Sequence, residues 1–240
     1  MPRDILSRPP IAATERVPYG KGACQFYDLF GVRGTGTTPL VIMIHGGFWR
    51  STYDLSHASH LCAALAQTGI AVASLEYRRV GETGGGWPVT FDDVIAGFTA
   101  ATKGAAPVVM GHSAGGQLAL LVTSRGLSIK GVVALAPVAC LELGRDENLG
   151  AGAVKDFMGQ GSYADADPVK HSSTVPRVLI HGTDDDVVPI SNSRAYVEAR
   201  HQDAGPVRLV EVTGADHFDL IDPTSRAWPI VLANVKQLLL

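Results

Sequence analysis

Only three of the 240 residues are cysteine, Cys24, Cys62 and Cys140, and they are widely spaced with no C-x-x-C pair. Neither a disulfide framework nor a thiolate metal site is expected from them, and they read as free thiols. A basic excess is also lacking: 20 Lys and Arg stand against 23 Asp and Glu, a net charge of −3. Neutralising a phosphate backbone needs the opposite balance, so nucleic acid is not an expected partner. The apolar runs break within about ten residues, short of the roughly 20 that span a bilayer. The first residues, Met1-Pro2-Arg3-Asp4-Ile5-Leu6 followed by Arg8-Pro9-Pro10, have no continuous apolar stretch of the secretion-signal kind. No membrane partner and a reducing, cytoplasmic setting are the expectations that follow. His57 and His60 stand three apart without an H-E-x-x-H pattern or an evident third ligand, so neither a metal nor another cofactor is expected.

What is present is a globular balance, 46% hydrophobic and 18% charged, with no shift along the chain that would divide it. One domain over 1–240 is expected, with 1–18 as an N-terminal extension and 142–174 as a candidate small, cap-like insertion. Apolar runs at 40–44, 70–75, 107–110, 131–135, 177–180 and 207–212 predict strands buried on both faces, preceded by another around 24–30. Helical periods cover 55–67, 91–101, 114–124, 191–201 and 223–239, the last with Pro223 in its first turn. This alternation predicts an α/β fold, a mostly parallel central sheet flanked by helices on both faces. The Gly-rich loop 81–88 and the segment 142–174 break the rhythm and are expected above the carboxyl ends of the strands, where open α/β sheets bind ligands. Lys and Arg are scattered singly and read as solvated, while Phe48, Trp49 and Trp87 read by default as packing residues.

The chemistry is carried by Gly111-His112-Ser113-Ala114-Gly115-Gly116, a G-x-S-x-G between a predicted strand and a predicted helix. A chain that turns abruptly from strand to helix holds its serine in a strained conformation with no room for side chains beside it, and so exposes the hydroxyl. A serine hydroxyl is a weak nucleophile and needs a base oriented by a carboxylate. His217, after the strand 207–212, suits the base. Three consecutive aspartates, Asp184, Asp185 and Asp186, follow the strand 177–180 and compete for the acid. The spacing from His181 to Val188-Pro189, H-G-x-x-D-x-x-V-P, resembles the acid loop of many α/β-hydrolases and selects Asp185. The chain order Ser113, Asp185, His217 is the one that fold uses. His45-Gly46-Gly47-Phe48-Trp49 resembles the H-G-G turn that donates backbone N–H groups to an oxyanion. Gly47 and Phe48, with Ala114 after the nucleophile, are the expected donors.

Taken together, H-G-G-F-W-R at 45–50, G-G-G-W-P at 84–88 and G-H-S-A-G-G at 111–116 resemble the kynurenine formamidase (arylformamidase) branch of the α/β-hydrolases. Tyr19-Gly20 and Tyr27-Asp28-Leu29 add a weaker likeness. The resemblance runs from about 19 to 228 and departs mainly in 142–174. It implies a serine hydrolase that cleaves an aryl formamide or, since carboxylesterases share these motifs, a carboxylic ester, through an acyl-enzyme. The partner implied is a small ester or amide substrate, and a homodimer is compatible with the sequence. A peptidase-like hydrolase and a binding protein that has lost the chemistry are the alternatives.

Overall fold

The structure, a computed structural model, describes residues 4–32 and 38–240, and is organised around one eight-stranded sheet. Its strands are β1 (Glu15–Pro18), β2 (Phe26–Phe30), β3 (Leu40–Ile44), β4 (Ala71–Leu75), β5 (Val108–His112), β6 (Gly131–Leu135), β7 (Arg177–Gly182) and β8 (Val207–Val212). They lie in the order β1-β2-β4-β3-β5-β6-β7-β8. All neighbours from β4 to β8 are parallel; β1 pairs antiparallel with β2, and β2 with β4. The helices are α1 (Ser59–Gln67), α2 (Val89–Thr102), α3 (Ala114–Val122), α4 (Leu141–Asp146), α5 (Leu149–Met158), α6 (Tyr163–Ala166), α7 (Ser191–Arg200) and α8 (Trp228–Leu239).

Side chains alternate across a strand, so each buried strand feeds two apolar layers. In β3, Leu40, Ile42 and Ile44 join the layer of α2 and α3, whereas Val41 and Met43 join the layer of α1 and α8. The expected α/β-hydrolase architecture, with helices on both faces, is thus what the chain forms. Among the described residues no helix is long and apolar enough to cross a membrane.

The differences from the sequence reading are local. The last helix starts at Trp228 with Pro229 in its first turn, and Pro223 lies in the turn before it. The irregular stretch 142–174 holds three short helices; Gly150, Ala151 and Gly152 at the start of α5 adopt left-handed φ of 56°, 52° and 86°. Those three residues interrupt the helical period that a sequence pattern would need. Residues 15–18 form the edge strand β1, almost wholly exposed and therefore without an apolar signature.

One expectation is overturned. Arg177 is not solvated but completely buried, and Arg79 nearly so. Arg177 donates to Val175 O (3.1 Å), Tyr196 Oη (3.1 Å), Asp203 Oδ2 (2.8 Å) and Gly205 O (2.8 Å), so its charge is both paired and hydrogen-bonded. Burial of an arginine is tolerated only on those terms. Arg177→Ala, by taking the nearest cation from the buried Asp203 carboxylate, is expected to cost about 3–5 kcal/mol, read as a lower urea midpoint at unchanged slope.

Candidate active site

Ser113 sits where β5 turns into α3, at φ 56°, ψ −119°. Its surroundings fix this strained geometry. The Ser113 N–H donates to Leu135 O at 2.8 Å, and its carbonyl accepts from Gly116 N (2.9 Å), Gln117 N (3.2 Å) and Val138 N (3.2 Å). A side chain at Gly111 would stand 2.1 Å from Gly115 O, and one at Gly115 would stand 2.2 Å from Ile44 O. Both contacts are with backbone that cannot swing aside, so the two glycines of the motif are steric requirements of the turn.

His217 and Asp185 come from the loops after β8 and β7. The His217 Nδ1 donates to Asp185 Oδ2 at 2.7 Å, leaving Nε2 as the nitrogen open to a hydroxyl. Asp185 Oδ1 accepts the N–H groups of Val187 (2.9 Å) and Val188 (2.8 Å), and its side chain is inaccessible to solvent. Asp184 and Asp186 are exposed, so the carboxylate brought to His217 is the one the acid-loop spacing selects. Burial alone would raise the Asp185 carboxyl. The hydrogen bonds from His181 and His217 outweigh it and hold the group well below the ordinary carboxylate range.

His181, which in the sequence only sets that spacing, touches Asp185 directly: its Nε2 lies 3.2 Å from Asp185 Oδ2 and 2.9 Å from Val188 O. Two acceptors require Nε2 to carry the proton, and Nδ1 then accepts from the Ser193 hydroxyl at 2.7 Å. His112 likewise donates from Nε2 to the carbonyl of His217 at 3.1 Å, with the two rings 4.5 Å apart.

The 45–49 turn is held from behind by groups the motif does not show. His45 Nε2 meets Glu76 Oε1 at 2.9 Å, and the Tyr77 hydroxyl donates to His45 O at 2.7 Å while its ring stacks on the imidazole. Burial pushes the Glu76 carboxyl up, but His45 and Arg79 more than offset it and keep it below the usual range. Trp49 is fully buried, donates to Gln117 Oε1 at 3.1 Å and stacks on Phe157. Gly47, Phe48 and Trp49 all take positive φ. Among the described residues no backbone carbonyl accepts the N–H of Gly47, Phe48 or Ala114.

Ser113, His217, Gly47 and Phe48 line one cavity of about 210 Å³. His57 and His112 add the remaining imidazoles, and Leu6, Tyr53, Val187 and Phe218 make it predominantly apolar. None of these lining residues is Lys, Arg, Asp or Glu. No group of three or more His, Cys, Asp or Glu side chains among the described residues is placed to hold a metal ion.

The BD-FAE family model matches residues 29–134, a span that contains both the H-G-G turn and the Ser113 elbow and stops short of Asp185 and His217. Kynurenine formamidase of Drosophila melanogaster is 24% identical over 239 residues, covering 88% of this chain and 76% of that protein. Esterase LipC of Mycobacterium tuberculosis is 25% identical over 272 residues; the match covers 92% of this chain but only 65% of that longer protein. Among solved structures, esterase B from Lactobacillus rhamnosis, inhibited by a tributyrin phosphonate, shares the fold with a TM-score of 0.81 at 18% identity, over 99% of this chain and 89% of that one.

The imidazoles around the cavity make folding depend on pH. Burial, then the neighbouring His45, brings His57 down from 6.5 to about 4, and burial with His217 holds His112 well below 6.5. The unfolded chain therefore takes up protons below about pH 6.5 that the folded chain refuses until lower pH, so this stability is present above 6.5 and is lost as pH falls toward 4. Urea midpoints measured from pH 7.5 to 4.5 are expected to decline across that window, and His57→Gln should make the decline shallower.

Proposed function

For an α/β-hydrolase with esterase and formamidase relatives, we propose that this chain is a serine hydrolase that cleaves a carboxylic ester or aryl formamide of a small substrate through an acyl-enzyme. The observation that carries the proposal is the 2.7 Å bond between Asp185 and His217 beside the cavity that the strained Ser113 also lines. In this reading Ser113 Oγ attacks the carbonyl carbon as His217 Nε2 takes its proton, and Asp185, kept ionised, stabilises the imidazolium. The unengaged N–H groups of Gly47, Phe48 and Ala114 receive the charge that develops on the carbonyl oxygen. His217 then returns the proton to the departing alcohol or amine, and later draws a proton from the water that hydrolyses the acyl-enzyme.

Within this class the uncharged, largely apolar lining favours a neutral acyl ester, because a zwitterionic substrate would find no counter-charge in the wall. The aryl formamide remains the second reading, favoured by Phe48, Tyr53 and Phe218 on the same wall and by the formamidase relative. Rates on p-nitrophenyl acetate, p-nitrophenyl butyrate and N-formylkynurenine separate the two. Ester turnover is expected to dominate and to fall by at least ~10³-fold in Ser113→Ala. A kcat/KM of roughly 10⁴ M⁻¹s⁻¹ or more on the formamide would instead identify a formamidase. Full turnover by Ser113→Ala would remove the mechanism and leave a scaffold with another role.

The acid is tested separately. Asp185→Asn is expected to reduce kcat by roughly 10³–10⁴-fold, because the imidazole loses its orienting acceptor. Asp184→Asn and Asp186→Asn should each stay within about threefold of wild type, both being exposed. An equal loss in all three would show that the loop acts through its charge and not through one carboxylate.

A further inference from the structure

A short helical turn at Asp4–Leu6 opens the described part of the chain. Ile5 is buried at 2% exposure in the layer of α1 and α8, whereas Leu6 keeps 41% of its surface and lines the cavity of Ser113 and His217. The arm that follows is tied down on both sides. The Arg8 guanidinium makes two hydrogen bonds to the Asp222 carboxylate, at 3.0 and 2.8 Å. The Pro9 carbonyl meets the His60 ring at 3.1 Å, and the Ile11 N–H donates to Ser59 Oγ at 3.0 Å. One set of ties reaches the segment that carries His217, and the other reaches α1. Leu6 directly follows the buried Ile5 and precedes these ties, so its apolar side chain is held against the apolar cavity by a segment outside the central sheet and its helices.

We infer that Leu6 is a specificity-determining residue: it closes one end of the substrate cavity and limits the length of the carbon chain that the substrate presents there. This rests on the proposed Ser113 reaction. A cavity of about 210 Å³ is small for a ligand site, so each methylene accommodated or refused at its end changes kcat/KM by a readable factor, about tenfold or more. Ile5 and the Arg8–Asp222 pair act through Leu6, by keeping the arm in place.

The experiment measures kcat/KM for p-nitrophenyl esters from acetate to octanoate and for acetates of linear alcohols of matching length, in wild type, Leu6→Ala, Leu6→Trp and Arg8→Ala, with thermal melts of each. Leu6→Ala is expected to raise the long-to-short ratio at least tenfold in one of the two series. Leu6→Trp should lower it, and Arg8→Ala should shift it in the direction of Leu6→Ala by a smaller factor. Ratios constant within twofold in both series would overturn the inference. So would a uniform loss on all esters that tracks a lower Tm, since that is the mark of a residue that only supports folding. Turnover that depends on Ser113 with unmoved ratios would defeat the Leu6 inference alone; turnover independent of Ser113 would remove both it and the reaction on which it rests.

Discussion

The N-terminus of α3 lies against the end of β3 so closely that a side chain on Gly115 would meet both Ile44 O (2.2 Å) and His45 O (2.3 Å). This backbone-on-backbone contact fixes the distance between two loops that are far apart in sequence, the 45–49 turn after β3 and the elbow after β5. Strand pairing alone would set their separation in the plane of the sheet but not the depth at which the helix docks. With the contact in place, the strained Ser113 and the left-handed Gly47 and Phe48 face one cavity. In the non-glycine residues Ser113 and Phe48 such conformations cost of order 1–3 kcal/mol each and persist only where the surroundings over-determine them, whereas Gly47 adopts positive φ without that cost. The four hydrogen bonds around the Ser113 peptide, and the buried His45, Glu76 and Tyr77 behind the turn, provide that determination.

The other half of the site follows a different logic, that of a charge kept away from water. A carboxylate with no solvent contact is costly unless its lone pairs are filled. Asp185 meets two backbone N–H groups, His217 and His181, and remains ionised. The same contacts that offset its desolvation also orient the imidazole, so stability and geometry are served by one set of bonds. His181 is in turn fixed by Ser193, which extends the chain of orientation from α7 to the cavity.

How far the sequence discloses this depends on whether a feature is local. Strands buried on both faces are continuous apolar runs, and six of them begin and end within about two residues of those runs, the usual uncertainty of an element boundary. The elbow is legible because strand, glycines and helix are contiguous. Asp185 emerges from its neighbours only through a spacing that resembles other acid loops; nothing in three adjacent aspartates says which one is turned inward. Glu76 and Arg177 carry no local signal at all, and His112 and His181 stand inside motifs that do not disclose their contacts with His217 and Asp185, since these roles come from partners brought near by folding. Helix α5 is masked by its own left-handed opening at 150–152, and β1 by its exposure. Leu6 is the extreme case: an unremarkable leucine more than a hundred residues from Ser113 that nevertheless shares its cavity.

These elements differ sharply in how strongly they are held. The elbow and the acid loop are locked by buried backbone and ionic contacts, and a change there disturbs packing and chemistry together. The arm that carries Leu6 is anchored by one buried apolar side chain and a few partly exposed polar contacts, bonds of a kind that contribute little individually. Segments with few buried contacts open at lower free energy than the core. A cavity wall built on such a segment can be reshaped without disturbing the strained turn that holds Ser113. Under the proposed reaction, this separation of a rigid centre from a lightly held boundary would let the chemistry stay constant while the size of the substrate accepted changes.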